Sequence, residues 1–354
     1  MILKTPKIKN LLIDSYEHIA KEYKVVGSSM AVIKNRHLTF EHHTGYGDKA
    51  IKRKTDIDTI YNWASITKTL TGVAVMQLRD LKKLKLTDPI VKYVPELKKM
   101  KNPFGKMEDI TIWHILTHSS GFRCDTWPIE SSTGEGWKDL MATMDGFEIL
   151  FKPGSRTSYS NLAVNFLGQA IKRITGMSYE KYVKKNILQP LGMNHSYFDL
   201  TPRGLSKHRS NNYYIKNGKV VANGFDFKTG VTTPNCGLNA PCSDMVKYLA
   251  FLCNGGSILK RSSLKEMWKM QLPMEKDRDM AADIGLSFFL IKHKGSLFIG
   301  HTGSSFGYIC FLYINPKSKS GCVVNFNTAG KNKKPDTRKG LYEIRKELFK
   351  QMLR

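Results

Sequence analysis

The sequence predicts an α/β protein: one antiparallel sheet assembled from the two ends of the chain, with a mostly helical region inserted between them. Three observations carry that expectation. Strand-length apolar runs bounded by turn residues occur near the N-terminus and again after Ala282. The stretch between them repeats apolar residues at helical spacing. And 354 residues, 41% of them hydrophobic, suffice for a sizeable core in two domains or one large body with insertions.

Taken in order, Leu11 to Tyr23 is helical. Val25 to Asp48 is a hairpin, in which Ser29 to Lys34 runs out, Asn35-Arg36 turns and His37 to Thr44 returns. Ser65 to Leu81 is a helix with Leu70, Val73, Ala74, Val75, Met76, Leu78 and Leu81 on nearly every face, hence buried on all sides. Thr111 to Thr117, Ser160 to Thr175, Tyr179 to Leu188 and Ser243 to Cys253 are helical. Strands follow at Gly285 to Lys292, Ser296 to Gly300, Tyr308 to Ile314 and Gly321 to Phe326. Leu341, Ile344, Leu348 and Met352 mark a closing amphipathic helix. The division this implies is residues 1–85 with 236–354 as an α/β domain, and 86–235 as a mostly helical insertion.

Formal charge is +26, from 56 Lys and Arg against 30 Asp and Glu. Such an excess gives a weak general attraction to anionic surfaces and polymers. It is dispersed, however. Its densest block, Lys82 to Lys106, lacks the interleaved aromatics of a single-strand platform, so no specific nucleic-acid partner is expected. The basic tail from Lys331 to Arg354 is the closing helix. The strongest apolar runs, Leu286 to Ile291 and Gly307 to Ile314, fall far short of the ~20 residues of a membrane span. Asp14 interrupts the N-terminal apolar stretch too early for a secretory leader, so the chain is either cytoplasmic or begins after a removed leader. None of Cys124, Cys236, Cys242, Cys253, Cys310 and Cys322 forms a C-x-x-C pair, and Cys310 and Cys322 lie in apolar runs that suit burial. No metal site is visible.

Three short elements carry chemistry. In Ser65-Ile66-Thr67-Lys68 a serine heads a helix with a lysine one turn on, which sets hydroxyl and ammonium on one face. A desolvated lysine there sheds its proton and activates the serine. The same spacing recurs at Ser178/Lys181, Ser257/Lys260 and Ser262/Lys265, but only Ser65 opens an all-round apolar helix. In Tyr159-Ser160-Asn161 a phenol near a lysine shuttles a proton and an amide two residues on holds a substrate carbonyl. The similar Tyr313-Ile314-Asn315 closes a strand. In Gly300-His301-Thr302-Gly303 small residues let a strand edge pair with substrate backbone. The Ser304 N–H then joins that of Ser65 as an oxyanion hole. His43-Thr44-Gly45 and Lys228-Thr229-Gly230 rival this third element.

In this order, Ser65-x-x-Lys68, Tyr159-x-Asn161 and His301-Thr302-Gly303 resemble the serine β-lactamase and penicillin-binding protein superfamily, in its class C-like, β-lactamase-related branch. Longer segments strengthen the resemblance: Ile112 to Phe122 (IWHILTHSSGF), Pro153 to Phe198 and Cys236 to Leu249 (CGLNAPCSDMVKYL). It covers nearly the whole chain, from about Ser29 to Phe326, and it selects His301 over Lys228, because in the family the third motif follows the segment around Asp244-Met245. The His-Thr-Gly form is similar to D-Ala-D-Ala carboxypeptidases, D-aminopeptidases and related esterases, whereas typical β-lactamases of the branch carry Lys-Thr-Gly.

The resemblance implies a β-lactamase/transpeptidase-like fold, a central antiparallel sheet flanked by helices with a mostly helical domain beside it, and a site between the two. It implies a serine hydrolase of amides or esters without metal or organic cofactor. Ser65 is acylated, Lys68 is the base and Tyr159 relays the proton. Asn161, His301, Thr302, Gly303 and Ser304 bind substrate. A cleft-facing His301 is further expected to titrate near neutrality. The alternative is a catalytically silent binding or scaffolding protein on the same fold, recruited to polyanions by its charge.

Overall fold

Strands from both ends of the chain pair in one antiparallel sheet. The structure is a computed structural model that describes residues 6–124, 136–144, 146–274, 282–330 and 335–353. The strands are β1 (Gly27–Lys34), β2 (His37–Asp48), β3 (Arg53–Lys54), β4 (Leu272–Pro273), β5 (Ala282–Ile284), β6 (Phe289–His293), β7 (Ser296–Ser305), β8 (Tyr308–Asn315) and β9 (Ser320–Phe326). Their order is β3-β2-β1-β9-β8-β7-β6-β5-β4. The N-terminal hairpin docks on the last strand in a register running from Ser28 opposite Phe326 to Lys34 opposite Ser320. Asn35 and Arg36 both take positive φ (49° and 78°), the two-residue turn whose twist matches the strands it joins.

Both faces of the sheet are buried, which is why its strands read as unbroken apolar runs. In β8, Cys310, Leu312 and Ile314 face one core, and Ile309, Phe311 and Tyr313 face the other. Helices α1 (Pro6–Glu22) and α5 (Thr337–Met352) cover the second face, where Phe349 stacks on Phe298 at 3.8 Å. The first face carries α4 (Cys242–Asn254), and its core continues into α2 (Thr67–Asp80) and α3 (Asn161–Thr175). Every residue of α2 from Thr67 to Met76 is buried, as its all-round apolar pattern requires. Its threonines return their hydroxyls to carbonyls: Thr67 to Ala64 (2.6 Å), Thr69 to Ile66 (2.7 Å) and Thr71 to Pro234 (2.6 Å).

The expected elements are present, with differences at their ends. The expected strand Gly285 to Lys292 is cut back to β6, which starts at Phe289, because Ser287 takes φ 64° and Gly285 packs against the Met267 carbonyl; β5 ends just before it, at Ile284. The segment 86–235 contains the expected helices and also a hairpin, Asn212–Lys216 with Lys219–Gly224, which pairs in parallel with Thr328–Ala329. Its outer strand is mostly exposed, so the sequence carries no apolar pattern there. Residues 1–5, at the start of the N-terminal segment, and 331–334 and 354, within the basic tail, lie outside the described residues. Among the described residues no helix is long and apolar enough to cross a membrane. No disulfide joins the cysteines of the described residues; Cys310 and Cys322 are buried and Cys124 is exposed.

Candidate active site

The site begins with a tight turn. Trp63 N donates to Leu238 O (2.8 Å), and Asn62 Oδ1 accepts the Ala64 N–H (2.9 Å) while Ala64 takes φ 44°. Ser65 therefore sits in a short 3-10 turn, Ala64–Ile66, rather than as the first residue of the α-helix, which starts at Thr67. Ser65 is the one residue between Thr59 and Met76 that is not buried, so the turn offers its hydroxyl to a cleft of about 290 Å³.

Lys68, the second residue of α2, lies one turn beyond Ser65 and is 1% exposed. Its Nζ donates to Ser65 Oγ (3.0 Å), Asn161 Oδ1 (2.7 Å) and the Asn235 carbonyl (3.0 Å). The last two can only accept. A neutral amine has two N–H bonds and one lone pair. If both N–H bonds go to Asn161 and Asn235, the lone pair is left for the Ser65 O–H.

Asn161 reaches Lys68 because Ser160 caps α3, accepting the Ala163 N–H (3.0 Å), and because Cys124 O receives the Asn161 N–H (2.9 Å). Its Nδ2 lies 4.0 Å from Cys124 Sγ. The ring of Tyr159 is half-buried, with Lys68 Nζ 4.9 Å from its centroid, and it packs on His118 at 4.4 Å. His118 Nδ1 in turn accepts the Ser160 N–H (3.2 Å). Burial, with the charge of Lys68 and then His301 adding to it, holds His118 well below the usual imidazole range.

The third element lies inside a strand, not between two as the sequence suggests: β7 runs through Gly300-His301-Thr302-Gly303 to Ser305. Phe306 (φ 49°) and Gly307 (φ 83°) make the two-residue turn into β8, which pairs Ser305 with Tyr308. Antiparallel alternation then turns the backbone N–H and C=O of Ser304 and Thr302 away from β8. On that side β6 pairs only as far as Gly300, so residues 301–305 present a strand edge unpaired by β6. Ser65, Tyr159, Asn161, His301, Thr302, Gly303 and Ser304 all line the cleft.

His301 departs from its expected behaviour. It is 1% exposed and stacks on Phe289 at 4.1 Å. Burial first, and then the charge of Lys68, push its pKa down to about 3 despite the opposing hydrogen bond to Thr302. It does not titrate near neutrality. Its Nδ1 lies on the Thr302 carbonyl and so carries the hydrogen, which leaves Nε2 a buried acceptor without a hydrogen-bond partner among the described residues.

The rival motifs have other places. Ser178 caps the helix Tyr179–Val183, Tyr313 is core, Gly45 lies within β2 at φ 75°, and Thr229 bonds Asp199 Oδ1 (3.0 Å). Sequence reasoning missed four contributors. The Asn235 carbonyl is backbone and has no sequence signal. His118 lay unremarked inside IWHILTHSSGF. Phe289 and Arg338 reach the cleft through tertiary packing alone, and Arg338 Nη2 donates to Ser304 Oγ at 3.4 Å.

The family model described as Beta-lactamase matches residues 12–344. Protein flp of Staphylococcus aureus (strain COL) is 29% identical over 313 residues, 88% of this chain and 61% of that protein. A Beta-lactamase of Escherichia coli (strain K12) is 26% identical over 206 residues, 57% of this chain and 51% of that protein. The chain thus spans between half and two thirds of the length of these curated relatives. Among solved structures, the octameric penicillin-binding protein homologue from Pyrococcus abyssi superposes with a TM-score of 0.79 at 28% identity, covering 91% of this chain and 73% of that one.

Proposed function

The chain belongs to the Beta-lactamase family, and on that premise we propose that it is a serine hydrolase working through an acyl-serine on an amide or ester. The substrate is of the D-amino-acyl peptide, ester or β-lactam type. The observation that carries the reading is the 3.0 Å contact between Lys68 Nζ and Ser65 Oγ, with two carbonyl acceptors holding the same nitrogen.

In this mechanism the cleft lies between the body of residues 1–85 and 236–354 and the inserted body of residues 86–235. Substrate backbone pairs with the free edge at Thr302 and Ser304, and the Asn161 amide holds a substrate carbonyl. Lys68 takes the Ser65 proton as Oγ attacks the acyl carbon. The N–H groups of Ser65 and Ser304 receive the oxyanion. Tyr159 passes the proton to the leaving group, whose bond to the acyl carbon then breaks. Water cleaves the acyl-enzyme by the reverse proton path.

A fluorophosphonate and a labelled penicillin, each located by mass spectrometry of peptides, test the reading. A single adduct on Ser65 is the expected result. No adduct from either probe on folded protein would favour a catalytically silent fold instead. A panel of esters, D-amino-acyl peptides and cephalosporins then assigns the substrate.

A further inference from the structure

The carbonyl that holds Lys68 is itself held by an amide pair. Asn235 lies in the short helix Thr233–Cys236 and is 6% exposed; Asn165 lies on α3 and is 4% exposed. Asn235 Nδ2 donates to Asn165 Oδ1 at 2.9 Å. Asn165 is one turn beyond Asn161, so α3 presents both amides on one face. One of them meets Lys68 directly, and the other meets it through Asn235. The same segment is pinned by neighbours: Thr71 donates to Pro234 O (2.6 Å), Leu238 N donates to Thr67 Oγ1 (3.0 Å) and Asn62 Nδ2 to Cys236 O (3.1 Å). Gly168 lets Pro234 approach α3, since a Cβ there would lie 2.1 Å from Pro234 Cγ.

We propose that Asn165 and Asn235 are positioning residues: their side-chain hydrogen bond aims the Asn235 carbonyl at Lys68 Nζ and thereby directs the Lys68 lone pair at Ser65. This rests on the serine-hydrolase reading above. A core position filled by two amides is otherwise costly, because each buried amide needs partners that a leucine would not. Here the pair joins the two acceptors of one ammonium into a single unit with α3.

Among the described residues, the titratable groups facing Lys68 include Tyr159, through its ring, and His118 and His301, both held neutral. Cys236, beside Asn235, turns its thiol to Thr232 O at 3.6 Å. The pair itself is uncharged, so it acts on Lys68 by geometry, and the charge of one member can be changed as a test.

The experiment measures the rate of Ser65 labelling by a fluorophosphonate against pH, by intact mass. In that step Ser65 Oγ bonds to phosphorus, the P–F bond breaks, fluoride leaves and the hydroxyl proton passes to Lys68. Asn165→Leu releases the Asn235 side chain. The plateau rate should fall about tenfold, and the acidic limb should move to lower pH because the ammonium loses an acceptor. Asn165→Asp keeps an acceptor for Asn235 and adds a negative charge. Its plateau should stay within about threefold of the unmodified protein, while its acidic limb moves to higher pH. Asn235→Leu should resemble Asn165→Leu, and the double variant should be no slower than either single one. A purely structural pair would lower melting temperatures and leave the acidic limb in place. Unmoved limbs in folded variants of both kinds overturn the proposal. Failure of the unmodified protein to label at Ser65 instead overturns the hydrolase reading on which it rests.

Discussion

Gly303 and Ala64 are in contact across the cleft floor: a Cβ built on Gly303 would lie 3.0 Å from Ala64 Cβ, 2.8 Å from Trp63 O and 2.6 Å from Cys310 Sγ. The strand edge and the serine turn therefore hold each other at a separation that only glycine permits. Gly303→Ala should cost about 1–3 kcal/mol, the usual scale of overpacking, and should slow Ser65 labelling by more than the stability loss explains. Adding Cys310→Ala removes one of the three clashes but not the backbone one, so rescue should be partial. A Gly303→Ala protein of unchanged stability and labelling rate would show that the turn and strand give way freely.

Ser65→Ala should abolish adduct formation and turnover with little change in melting temperature, since the side chain is partly exposed in a turn fixed by its neighbours' backbones. Ser178→Ala should do the opposite. It removes the cap of Tyr179–Val183, at about 1 kcal/mol, and leaves activity intact. Residual Ser65→Ala activity above a few per cent would move the nucleophile elsewhere.

Lys68→Ala and Tyr159→Phe should each slow acylation by at least ~10²-fold, the scale of a lost proton-transfer group. Lys68→Ala should also destabilise the fold, because it leaves the buried Asn235 O and the half-buried Asn161 Oδ1 without that donor, at about 1–3 kcal/mol. Tyr159→Phe should not. Burst kinetics unchanged in either variant would place the proton path on other groups.

The residues of the site differ in how legible they were, and the reason is physical. Ser65, in the 3-10 turn, and Lys68, the second residue of α2, stand three positions apart on one helical run, and that spacing is written in the sequence. Tyr159 and Asn161 flank a serine that caps the next long helix, which local pattern also shows. The Asn235 carbonyl comes from 167 residues beyond Lys68 and from a peptide group every residue possesses, so no residue type announces it. The positive φ of Ala64 is invisible for the same reason: alanine is not a residue that advertises it. His301 was legible as a residue but not as a charge state, because that state depends on Phe289 and on burial at the strand edge. In the fold, the strands buried on both faces were clear, and the exposed hairpin Asn212–Lys216 with Lys219–Gly224 was not.

Two buried neutral histidines give stability a defined pH dependence. His301 is lowered from 6.5 to about 3, and His118 well below 6.5. In the unfolded chain both take up protons as pH falls through 6.5, while the native state does not. The unfolded state then binds more protons, so stability present above pH 6.5 is lost as pH drops toward 3. Each contributes a slope of about 1.4 kcal/mol per pH unit once the unfolded form is protonated. Chemical denaturation between pH 7 and 5 should show this loss, and His301→Gln should reduce the slope by one histidine's share. A flat profile would mean that the rings accept protons in the native state.

The neutrality of His301 also moves charge recognition within the cleft. In the Lys-Thr-Gly form of the third motif a fixed ammonium stands at this position, whereas here the ring offers no charge at working pH. Arg338, in the first turn of α5, lines the same cleft and reaches Ser304 Oγ on the free strand edge, so it is placed to meet an anionic group of a substrate lying along that edge. Arg338→Ala should lower kcat/KM for substrates bearing a free carboxylate by about tenfold, equivalent to ~1.4 kcal/mol, and leave neutral esters within about twofold. Because His301 stays uncharged between pH 5 and 8, charged and neutral substrates should show parallel pH–rate profiles over that range. Profiles that diverge near pH 6.5 and become parallel in His301→Gln would return charge recognition to the histidine. Equal losses for both substrate types in Arg338→Ala would make the arginine a wall of the cleft rather than its anion reader.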